Sequence, residues 1–148
     1  MTTLNQSMQN REAVRISKLW RAGLVAAVTA AAANVLLFGL TKLLGVPYIM
    51  PLQGPESPLE PLPVIMIIIA TVVPTIGATL LLAVLARFLA RPLRFFWIIS
   101  AVFLLLSFMG PFSLPAAVAL STKISLSLMH LITGVVVVWV LSALGRDK

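Results

Sequence analysis

The sequence predicts an all-α fold: an antiparallel four-helix transmembrane bundle with N- and C-termini cytoplasmic. Three observations predict it. The 148-residue chain is 60% hydrophobic and only 10% charged, with a mean hydropathy of +1.08; soluble domains are nearer half apolar and a quarter charged. The apolar residues form four long runs, and lipid is a solvent in which such runs need no cover. The basic residues gather on one side of those runs. Arg11, Arg15, Lys18, Arg21, Arg87, Arg91, Arg94, Arg146 and Lys148 flank one side, against Lys42 and Lys123 on the other, so nine of the eleven share a side. The positive-inside rule assigns that side to the cytoplasm.

Each element follows in order. Arg11, Arg15 and Lys18 recur at helical spacing opposite Ala13, Ile16 and Trp20, which predicts an amphipathic lead-in over 11–18, lying among the headgroups. The first span covers 19–44. It is too long for a signal-peptide core of about 7–15 residues. Ala26, Ala27, Ala30 and Ala31 give it a face of small residues, which lets helices approach closely in lipid. The external loop 45–63 holds six of the ten prolines. That density excludes a regular helix or a central strand, yet Tyr48, Met50, Leu52 and Leu62 are apolar. A stiff loop folded onto the helix ends is expected, with Ser57-Pro58-Leu59-Glu60 reading as a capping box for a single helical turn.

The second span covers 64–89 and contains Pro74, which kinks it and frees the carbonyl near Ala70 for a donor such as Thr71 or Thr75. Arg87, Arg91-Pro92 and Arg94 mark a short turn. The third span, 95–109, is the shortest and ends at Gly110-Pro111; the fourth covers 124–144. Trp20, Trp97 and Trp139 come from three spans, each near the basic side. They are expected to be membrane-interface anchors.

Charge and composition exclude several functions. The net charge of +7 flanks apolar runs, so it suits orientation and anionic headgroups rather than nucleic acid. With no cysteine there is no disulfide, thiolate metal site or cysteine nucleophile. Glu12, Glu56, Glu60 and Asp147 all lie outside the spans, which removes the intramembrane carboxylate typical of proton-coupled transport. The segments outside the spans, 1–18 and 45–63 the longest, leave no room for a soluble catalytic domain. The chain is not expected to be an enzyme, and no metal site is expected.

One polar cluster stands out. His130 is the sole histidine and lies within the fourth span, about 9 Å below its outer end by helical rise. Asn34, Thr71, Thr75 and Ser107 sit in the outer parts of the other three spans. If these faces point inward, they form either interhelical hydrogen bonds or a pocket, and an intramembrane ionisable residue is a functional hypothesis by default. A neutral His130 bonded to Asn34 or a serine would join two helices at roughly 0.6 kcal/mol per bond. His130 could also ligate a haem or a chlorophyll-type pigment, although bis-histidine haem would need a second copy or a partner. No cofactor is otherwise expected.

Leu19-Trp20-Arg21-Ala22-Gly23, Asn34, Arg91-Pro92 with Phe95, Ser107 with Pro111, and Leu128-Met129-His130 together resemble an uncharacterised bacterial family of four-helix integral membrane proteins, a domain of unknown function. The likeness covers most of 19–141 and rests on order and spacing. It implies four spans in a bacterial inner membrane, and no activity. The expected partners are the lipid bilayer and other membrane proteins or a second copy of the chain. The leading expectation is accordingly a non-catalytic accessory protein that packs through its alanine face and proline-rich loop. The alternative is a binder or carrier of a small lipophilic ligand in an outward-facing pocket around His130. A filled core would favour the first, and a cavity of several hundred Å³ the second.

Overall fold

The computed structural model describes residues 14–146. In chain order the elements are helix α1 (Ile16–Leu43), strands β1 (Ile49–Pro51) and β2 (Leu59–Pro61), and helices α2 (Val64–Phe88), α3 (Pro92–Ser107), α4 (Met109–Phe112) and α5 (Leu120–Leu144). Four stretches are long and apolar enough to cross a membrane: α1, α2, α3 with α4 (Pro92–Phe112), and α5.

α1 buries a stripe at helical spacing: Leu19, Ala22, Gly23, Ala26, Ala30, Asn34 and Phe38. It lies against both α2 and α5. Gly23 sets the closest approach, since a Cβ there would fall 2.6 Å from Thr79 Oγ1. The alanine face is therefore used within the chain. The largest core surrounds it: Leu19, Ala22, Ala26 and Ala30 pack with Leu82, Leu93, Phe96, Val137, Val138, Val140 and Leu141. Apart from Ala30, at the middle of α1, these lie toward the end where α1 begins and α5 finishes. Val14 pairs with Arg146 there in an isolated bridge, and Arg15 N donates to Gly145 O at 3.1 Å.

Those two contacts correct the expected lead-in. Arg15 is extended (φ −85°, ψ 110°) and helix begins at Ile16, because backbone pairing with the other end of the chain takes precedence over helical spacing. Residues 11–13 lie outside the described residues. The third span also differs from 95–109. It starts at Pro92, which suits the first helical position because it needs no N–H partner there, with Arg91 ahead of it outside the helical region (φ −128°, ψ 65°), as a following proline disfavours helix. At 16 residues α3 is about 24 Å long, short of a hydrocarbon core of about 30 Å. The single turn α4 extends it past Gly110-Pro111, so that pair does not end the span. The fourth helix starts four residues earlier than expected, at Leu120.

The proline-rich loop is a short antiparallel ribbon, pairing Ile49 with Pro61 and Pro51 with Leu59. Two strands have only edges, where proline is tolerated. The capping box is not realised: Leu59–Pro61 is strand, and Ser57 Oγ donates to Gly54 O at 2.8 Å. As expected, the loop is folded onto the helix ends. Tyr48 anchors it and is 1% exposed. Its hydroxyl bonds Thr41 Oγ1 at 2.5 Å, its N–H donates to Thr122 Oγ1 at 3.3 Å, and its ring lies 4.5 Å from that of Phe38. Tyr48 also has φ +49°, a left-handed conformation that non-glycine residues hold only when their surroundings over-determine it. Ile67 and Met129 complete this smaller core with Phe38 and Tyr48.

Candidate functional site

The polar residues of the spans meet at the loop end. Asn34 of α1 is 1% exposed, and its Nδ2 donates to Thr71 Oγ1 of α2 at 2.9 Å and to Thr133 Oγ1 of α5 at 2.8 Å. One amide thus ties three helices. Neither threonine has a hydroxyl proton to return. Thr71 Oγ1 donates to Ile67 O at 2.8 Å and Thr133 Oγ1 to Met129 O at 2.8 Å, so both can only accept from Asn34. This fixes the amide orientation by its network. Asn34 Oδ1 is consequently turned elsewhere, buried and without a protein partner. A buried unpaired acceptor is unfavourable by about 1–3 kcal/mol.

His130 does not bond to Asn34 or to a serine. Its Nδ1 lies 2.8 Å from Leu126 O, one turn back on α5. A carbonyl can only accept, so Nδ1 carries a proton, and in the neutral ring Nε2 holds the free lone pair. The expected histidine bridge is therefore replaced by an asparagine bridge. Ser107 Oγ likewise donates to its own helix, to Leu104 O at 2.7 Å, and Thr75 Oγ1 to Thr71 O at 2.7 Å. The carbonyl at Ala70, which Pro74 frees, receives neither threonine hydroxyl, since those of Thr71 and Thr75 go to Ile67 and Thr71.

These residues enclose a space. A cavity of about 790 Å³ lies among α2, α3 and α5, with Asn34 of α1 at its inner wall. That lies within the range of about 300–1,000 Å³ for small-molecule sites. Asn34, Thr71, Thr75, Ser107 and His130 all line it. Thr133 and Ser100 line it too, and the sequence reading passed over both. Thr133 stands three residues past His130, and that helical spacing is the signal that could have found it. Most of the remaining lining is apolar, and no lysine, arginine or carboxylate takes part.

The space lies beside the part of α3 that buries least of its own surface. The buried residues of α3 are Pro92, Leu93 and Phe96, all in its first turns. Further along, Leu104 meets α5 where Gly134 leaves room; a Cβ there would sit 3.0 Å from Leu104 Cδ1. Between α2 and α3 the lining residues Met66, Ala70, Pro74, Gly77 and Phe103 are exposed. They form a mouth on the lateral surface. The roof is the loop, through Met50, Pro51 and Leu52, with Leu114 beside it, and Lys123 Nζ holds Leu114 O at 2.7 Å.

Trp20, Trp97 and Trp139 are 62%, 51% and 67% exposed and lie toward the closed end, away from the cavity. Exposed tryptophans on the outside of apolar helices suit an interface level.

Fold and site define a small membrane protein of four apolar helices with a laterally open, mostly apolar cavity that carries a few polar groups. The chain belongs to DUF6069, a family of unknown function, which it matches over residues 14–147. The resemblance to a four-helix family of unknown function is thereby confirmed. No curated protein and no solved structure matches it.

Proposed function

We propose that the protein binds a small lipophilic molecule in the cavity around His130 and Asn34, non-catalytically, as a carrier or sensor within the membrane. One observation carries this reading: all five polar residues singled out in the spans converge on one cavity of about 790 Å³. Independent interhelical bonds would not need a common void. The mouth between α2 and α3 opens sideways, where a lipophilic molecule partitions. The alternative is an accessory protein that packs through its alanine face and proline-rich loop; Ala22, Ala26 and Ala30 are buried within the chain, whereas Ile49 and Leu59 of the loop are exposed.

The topology that accompanies this reading is antiparallel, with both ends cytoplasmic and the cavity toward the outer face of a bacterial inner membrane. It is supported by the pairing of Val14 with Arg146 and by the exposed Arg15, Arg21, Arg87, Arg91, Arg94 and Arg146, which belong to one end.

The test is purification in mild detergent, followed by organic extraction and mass spectrometry of what co-purifies. Ala70→Phe, placed at the mouth, is the control. A lipophilic molecule near one per chain in the wild type, and lost in Ala70→Phe, is the expected result. Bulk lipid alone, unchanged by the substitution, would refute the reading.

A further inference from the structure

We infer that the cavity selects a neutral lipophilic alcohol or phenol, held by its hydroxyl group. This rests on the cavity being a binding site, and it follows from where each polar hydrogen already goes. Thr71, Thr75, Thr133 and Ser107 donate their hydroxyl protons to carbonyls of their own helices. Both Nδ2 hydrogens of Asn34 are held by the two threonines. The His130 Nδ1 proton is held by Leu126 O. What remains to face a guest is the lone pair on His130 Nε2 in the neutral ring and the spare lone pairs of the hydroxyls; Asn34 Oδ1, also unpaired, is sealed from the space. Every one of these is an acceptor. Ser100, the other hydroxyl in the lining, can donate or accept and so does not discriminate.

An acceptor-lined wall recognises a donor. An ether, ester or ketone brings only lone pairs and leaves the wall unpaired, and an acyl chain brings nothing. A site built around hydrogen-bonding groups rejects the analogue that lacks the matching group, because its own groups are then left unpaired. Charge narrows the class further. With no lysine or arginine in the lining an anionic headgroup has no counter-ion, and with no carboxylate neither has an ammonium. A hydroxyl on an apolar body meets all of these conditions. Aliphatic alcohols and phenols share that chemistry.

The experiment uses the full chain in phosphatidylcholine nanodiscs and measures saturable binding of four probes: 4-octylphenol, its methyl ether, 1-dodecanol and dodecyl methyl ether. At least one hydroxyl probe is expected to bind about 10-fold tighter than its own ether. His130→Leu should shrink that ratio several-fold; should the variant fold poorly, the wild-type ratio decides alone. Selectivity confined to the phenol pair or to the alkanol pair supports the inference and identifies the source. Ratios near one, or a preference for the ethers, overturn it while leaving the cavity a binding site. No saturable binding by any probe, or binding that Ala70→Phe leaves unchanged, overturns both.

Discussion

The two ends of this bundle are made from the same kinds of residue and behave differently. At the basic end small residues on α1 let three helices close around Leu82, Phe96 and Leu141, each 0% exposed. At the loop end a space among the helices is lined by apolar and a few polar residues and roofed by a ribbon, while α3 still meets α5 through Leu104 and Gly134. Helices in lipid gain nothing from hiding apolar surface, so association rests on close packing and hydrogen bonds. The basic end uses the larger core, whereas the loop end combines a smaller core around Tyr48 with hydrogen bonds, chiefly the Asn34 bridge. The more loosely packed end leaves room for a guest, and the close-packed end does not.

That contrast is broken most severely at the closed end. Phe96→Ala should lower stability by about 3 kcal/mol, since it empties a fully packed site that cannot collapse; reversible unfolding in mixed micelles would measure it. Gly23→Val should cost about 2 kcal/mol through overpacking against Thr79, in the same assay. At the open end Asn34→Leu removes two hydrogen bonds but also an unpaired acceptor. At roughly 0.6 kcal/mol per bond the net loss should stay below about 1 kcal/mol in the same assay. A loss of 3 kcal/mol or more at Asn34 would mean that the loop end is held as firmly as the basic end.

Much of this was legible in the sequence. Hydropathy located four spans because apolar length is sufficient evidence for crossing a bilayer. Asn34, Thr71, Thr75, Ser107 and His130 were legible because polar side chains are rare and conspicuous in such segments. Their partners were not. Helical periodicity says which residues share a face, but not which face meets which helix, so His130 was paired with Asn34 when Thr71 and Thr133 hold that place. The lead-in failed at Arg15 because its backbone pairs with residues 130 positions away. The capping box failed at Ser57-Pro58-Leu59-Glu60 because strand pairing across the loop outweighed a local turn signal. Polar residues within the spans could suggest a pocket, but which helices surround it, as where Gly134 meets Leu104, is a tertiary fact.

The most direct test of an open end beside a closed one uses the absence of cysteine in this chain. Single cysteines at Ala70 and Ser107, which line the cavity, would be compared with single cysteines at Ala26 and Leu82, which are fully buried. The reagent is a small uncharged thiol label applied to native membrane vesicles. Rapid labelling at 70 and 107, with 26 and 82 protected until the protein is denatured, is the predicted result. Equal protection at all four positions would contradict the account.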